Sequence, residues 1–153
     1  MAKKKSSNIL SFISLVLGVG AILSLFLSCI TVEGADSGFS GWQVIFGYYE
    51  TAGFLSVKLF DFSLMNCIGF ALIAGGTLLV LLSVVGNGSK LITLIYTLAL
   101  LGGAVFMFLM PNFVFAITDS IVTAEWILDI GAIIAGSASA LAGLVGALKL
   151  FKK

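Results

Sequence analysis

Leu78-Leu79-Val80-Leu81-Leu82-Ser83-Val84-Val85-Gly86-Asn87-Gly88-Ser89-Lys90-Leu91-Ile92-Thr93-Leu94-Ile95 is the stretch that decides the fold. Two oily runs flank a four-residue turn and a single lysine. Leu78 to Leu82 are apolar at every position, so the run lacks the alternation of polar and apolar residues that a membrane β-barrel strand carries over about 10 positions. A helix satisfies every backbone N–H and C=O within its own segment, as lipid demands. The stretch therefore predicts two transmembrane helices, and its short connection makes them antiparallel neighbours.

Working outward, a hydrocarbon core of about 30 Å takes about 20 helical residues to cross. Runs of that length bounded by charge lie at residues 9–30, 62–85, 91–110 and 127–150. They predict an all-α membrane protein, a four-helix transmembrane bundle in one membrane domain spanning 1–153. Pro111, the only proline, stands where it closes the third helix. The composition agrees: of 153 residues 60% are hydrophobic and 10% charged, with a mean hydropathy of +1.22. A water-soluble core of this size could not hide that much apolar surface.

The eight basic residues are all lysines, and seven of them (3, 4, 5, 90, 149, 152 and 153) fall at helix ends on one side. The seven acids, Glu33, Asp36, Glu50, Asp61, Asp119, Glu125 and Asp129, fall toward the other. Excess lysine marks the cytoplasmic side. Both termini and the turn at 86–90 are thus expected inside a cell membrane, with the loops at 31–61 and 111–125 outside. Lys3 to Lys5, an apolar run and Ser28-Cys29 also resemble a lipoprotein signal cleaved before Cys29, but that run is longer than a signal core of about 7–15 residues.

The same composition excludes several functions. A net charge of +1 with no clustered basic face argues against nucleic acid. With no histidine, the commonest general base and metal ligand is missing. No Ser/Lys or Asp/Asp pair shares one depth, so no enzyme, metal or cofactor is expected. Cys29 and Cys67 fit no zinc framework or CxxC pair; they are expected as buried small hydrophobes, with pairing on the outer side as the alternative. Asp129, about 5 Å inside the interface at 1.5 Å per residue past Trp126, is expected to serve the positive end of the fourth helix.

Two features are candidates for contact. Gly136, Ala140, Gly143 and Ala147 in the last helix make pairs four apart that let another helix approach closely. They are expected to pack within the chain; an oligomer interface is the alternative. In the outer loop, Trp42, Val44 and Phe46 share a face at period two, and Leu55, Val57 and Leu59 alternate with Ser56 and Lys58, which suggests a hairpin turning at Thr51-Ala52-Gly53. At helical period Trp42, Ile45, Phe46 and Tyr49 form one stripe. Gly41, Gly47 and Gly53 weaken a helix and favour the hairpin. Trp42, Phe46 and Tyr49 are then either an aromatic anchor at the headgroups or a partner contact.

The lysine start, Gly41-Trp42-Gln43-Val44-Ile45-Phe46-Gly47, Phe62-Ser63-Leu64-Met65-Asn66 and the glycine-rich end at Lys149-Leu150-Phe151-Lys152-Lys153 resemble a group of small bacterial four-span membrane proteins without an assigned function. The resemblance transfers no active site. The loop pattern is also similar to claudin-type tetraspans, without that family's paired loop cysteines and Gly-Leu-Trp segment. The expected function is that of a non-enzymatic multi-pass accessory or structural protein. Its partners are the bilayer and another membrane protein or a second copy; a transporter or channel subunit acting as an oligomer is the alternative.

Overall fold

In the computed structural model, which describes residues 2–32, 38–52, 55–86, 88–114 and 125–151, four long helices are joined by small strands at one end. Helix α1 (Ala2–Ser24) leads to strand β1 (Ser28–Val32), β2 (Phe39–Ser40), the short helix α2 (Gly41–Phe46) and strands β3 (Tyr48–Ala52) and β4 (Leu55–Phe60). Helices α3 (Leu64–Val85) and α4 (Lys90–Phe108), a 3₁₀ turn at Met110–Phe113, strand β5 (Trp126–Leu128) and helix α5 (Ile130–Phe151) complete the order.

The decisive stretch forms two neighbouring helices, α3 and α4, with Asn87 of its turn outside the described residues. Ser63 and Ser89 cap α3 and α4 by accepting hydrogen bonds from the N–H groups of Asn66 and Ile92. Helices α3, α4 and α5 are each long and apolar enough to cross a membrane. Helix α1 packs against α3 and α5, and α4 packs against α3 and α5. Glycines make these approaches close: a Cβ at Gly103 would lie 3.2 Å from the Gly69 carbonyl oxygen, so α3 and α4 meet nearly backbone to backbone.

Two expected helix bounds need correction. The first helix, expected over 9–30, starts at Ala2 and stops at Ser24. The N–H groups of Leu25, Phe26 and Leu27 bond back three residues, to Ile22, Leu23 and Ser24, a tightening that ends helices. Beyond it the β-branched Ile30, Thr31 and Val32 run extended in β1. The last helix, expected from 127, begins at Ile130 because Trp126, Ile127 and Leu128 pair with Val32, Thr31 and Ile30. Strands buried against a core read as apolar runs, which hydropathy alone does not separate from helix.

The resulting sheet has the order β2-β1-β5, all antiparallel, and the second sheet is the β3–β4 hairpin. The loop reading is corrected as well: residues 41–46 are helix and only 48–60 form the hairpin. Ser40 and Gln43 make a reciprocal capping box that starts α2. Gly47, at φ 90°, ends it in a conformation that side chains resist. The expected turn residue Gly53 lies outside the described residues.

Candidate functional site at the capped end of the helices

The strands and α2 cover one end of the helices, the end toward which the acids fall. The cap is tied to the helices by backbone bonds. Gly41 N donates to Leu25 O at 2.9 Å, Ser63 N to Ile45 O at 3.1 Å and Asp129 N to Cys29 O at 2.9 Å. Asp129 is the main polar junction. Its Oδ1 accepts from Ile130 N at 2.7 Å and its Oδ2 from the Ser28 hydroxyl, so one carboxylate meets the first N–H of α5 and holds β1. Gly38 and Gly131 leave room for this junction: a Cβ at Gly131 would lie 2.6 Å from Ser28 O and 2.8 Å from Cys29 Sγ.

Two aromatic groups fill the cap. Phe39, Tyr48, Phe60 and Trp126 surround the sheet side, with Phe39 and Phe60 edge to face at 4.7 Å. On the other side Trp42 stacks on Phe46 at 5.6 Å and meets Phe70 of α3 at 4.9 Å and Phe26 at 5.4 Å. Such pairs contribute about 0.5–1.5 kcal/mol each beyond their buried area. Trp42 thus fastens α2 to α3. Of the three expected contact residues it is the inward one, whereas Phe46 and Tyr49 are 51% and 59% exposed. Tyr49 carries Lys58 Nζ 5.6 Å above its ring, and Lys58 pairs with Asp61 at 2.9 Å. The hydrogen bond from Lys58 lowers the Asp61 carboxyl below its ordinary value, and the same bond raises Lys58.

Ser63 and Asn66 form a second junction, which the sequence analysis did not single out. Ser63 Oγ donates to Phe113 O at 2.7 Å, and Asn66 Nδ2 reaches Met110 O and Phe113 O at 3.4 and 3.5 Å. Both side chains are fully buried. The signal was present in Ser63-x-x-Asn66, a cap followed by an amide one turn on, beside Pro111. Cys29 and Cys67 are free thiols. Burial pushes Cys29 up to about 12, with Asp129 adding to the rise and the Gly41 N–H opposing it.

The four small residues of α5 divide. Gly136 and Gly143 are buried: a Cβ at Gly136 would meet the Phe108 ring at 2.9 Å, and at Gly143 it would meet Leu101 Cγ at 2.7 Å. They pack against α4 of the same chain. Ala140 and Ala147 are only half-buried.

At the opposite end Lys149 of α5 points between helices. Its Nζ donates to Ser11 Oγ of α1 at 2.6 Å and to Ser83 Oγ of α3 at 2.8 Å, so a lysine and two serines do share one depth, which corrects the expectation that no Ser/Lys pair would. Between the two ends four interior hydroxyls turn to backbone carbonyls, whereas the buried Tyr96 hydroxyl does not. Ser14 donates to Ala142 O, Ser139 to Leu100 O, Thr77 to Ile73 O and Thr97 to Thr93 O, at 2.7–2.8 Å.

This arrangement defines a mostly helical chain with three helices able to cross a membrane and a small strand cap. No family model, curated protein or solved structure matches the chain.

Proposed function

We propose that the chain is a non-enzymatic multi-pass membrane protein: a four-helix transmembrane bundle with α1 as the fourth span, both termini cytoplasmic in a cell membrane, serving an accessory or structural role beside another membrane protein. The observation that carries this reading is the fate of four interior serine and threonine hydroxyls. Ser14, Ser139, Thr77 and Thr97 are each spent on a carbonyl of their own or a neighbouring helix, which is how a packed bundle satisfies polar groups. A conducting lane keeps such groups for the solute.

Helix α1 supports the fourth span. Its exposed face consists of Ile9, Phe12, Ile13, Val16, Val19 and Leu23, a stripe at helical spacing that suits lipid. Its apolar part, Asn8–Ser24, extends about 26 Å at 1.5 Å each, near the lower end of what a span needs. Phe46 and Tyr49 give the cap its exposed aromatic surface, placed where headgroups or a partner's outer domain would lie.

Single cysteines at Tyr49 and Ser89 test the topology. A membrane-impermeant maleimide on intact cells is expected to label Y49C and spare S89C, and labelling of both overturns the bundle. Ion flux through purified protein in liposomes, expected to equal that of empty vesicles, decides against the channel or transporter alternative; flux above that background overturns the accessory role.

A further inference from the structure

The lysine-bearing end holds a cation that meets no carboxylate among the described residues. Lys149 is half-buried where α1, α3 and α5 meet, and two of its three N–H groups are taken by Ser11 and Ser83. Both partners are neutral hydroxyls. The sequence has no Asp or Glu before residue 33, between 61 and 119, or after 129. The segments that build this end therefore contain no carboxylate side chain, while Lys90 adds further positive charge at the start of α4. A partly buried ammonium without an opposite charge is costly. The two serines orient it without compensating it.

Depth says what does. Lys149 lies 19 residues after Ile130, about 28 Å along the axis at 1.5 Å per residue. A helix starting at one interface therefore brings this ammonium to the headgroup level of the other, given a hydrocarbon core of about 30 Å. We propose that Lys149, fixed by Ser11 and Ser83, binds the phosphate group of an anionic phospholipid, its third N–H donating to a phosphate oxygen. Basic sites between helices at that level hold anionic headgroups in this way. The inference rests on the membrane-bundle reading, and its test is independent of the maleimide labelling that tests that reading.

The experiment is native mass spectrometry of the full chain in mild detergent, with phosphatidylglycerol or phosphatidylcholine of identical acyl chains added in turn. Wild type is expected to favour phosphatidylglycerol about fivefold, the equivalent of ~1 kcal/mol for one lysine. K149M is expected to lose that preference and K90M to keep it. Equal retention of both lipids by wild type overturns the proposal without any variant, so misfolding of K149M does not shelter it. Equal losses in K149M and K90M also overturn it, since they mean diffuse attraction. S83A, which keeps the charge but removes one tether, is expected to fall between wild type and K149M. If inorganic phosphate at millimolar concentration displaces phosphatidylglycerol and raises the thermal midpoint, the anion comes from water and the lipid source is overturned.

Discussion

The two ends of the helices handle charge in opposite ways. At the capped end each carboxylate whose contacts are described meets a donor of the same chain: Asp129 takes Ser28 and the Ile130 N–H, and Asp61 takes Lys58 and the Phe62 N–H. At the lysine end Lys149 has two hydroxyls. One end is finished by the polypeptide, and its polar bonds set how the cap sits. At the other, no carboxylate among the described residues meets the ammonium. Substitutions at the capped end should accordingly act on stability, whereas those at the lysine end should act on what binds.

The largest expected effect is Gly131→Val. The new side chain would meet Ser28 O and Ser24 O, at 2.6 and 2.9 Å from Cβ, and backbone does not yield as a side-chain tip does. A loss of about 1–3 kcal/mol is expected from overpacking, read as a lower denaturant midpoint in detergent. Asp129→Ala should cost about 1–2 kcal/mol through its lost hydrogen bonds to Ile130 N and Ser28, in the same measurement, and Asp129→Asn less. Ser63→Ala should cost about 1 kcal/mol, because it leaves Phe113 O to the single longer bond from Asn66. If these three variants match wild type while K149M unfolds, the contrast between the ends is reversed.

Two smaller effects sharpen the contrast. Cys29, buried and held up to about 12, is expected to resist maleimide at neutral pH until the cap is unfolded; mass spectrometry of the labelled chain reads this directly. The Lys58–Asp61 pair is exposed, so K58A should leave the unfolding midpoint unchanged. Its pH dependence has a definite sign. Asp61 titrates lower in the folded chain, so its contribution is present above the ordinary carboxylate range and is lost as pH falls through the lowered value. Carbon-detected NMR of Asp61 in wild type and K58A checks it, with the titration expected to move up in K58A.

Much of the helical part was legible because hydropathy and capping agree there. Ser89-Lys90 starts α4 within a residue of its expected start, and Pro111 sits in the 3₁₀ turn that follows the helix. The cap was less legible. Ile30 and Leu128 are as oily in a strand as in a helix, and their pairing spans most of the chain, beyond any local window. Helix α2 did leave a local mark, since Ser40-x-x-Gln43 is a capping box in the sequence itself. The expectation of a hairpin rested on the glycines at 41, 47 and 53 and did not consider that box. Gly41 turns out to be needed for space, where a Cβ would lie 2.8 Å from Leu25 Cδ2. Lys149 was read only as a marker of sidedness, because nothing in its spacing tells that it turns between Ser11 and Ser83.

The pairing of Ile30 with Leu128 also sets an order of events. Strand β1 leaves the ribosome nearly a hundred residues before the edge it needs, and until Trp126 to Leu128 arrive one flank of it stands open to any passing strand. A chain halted before residue 126 keeps that flank bare, so a premature stop yields a sticky product rather than a smaller version of the same protein.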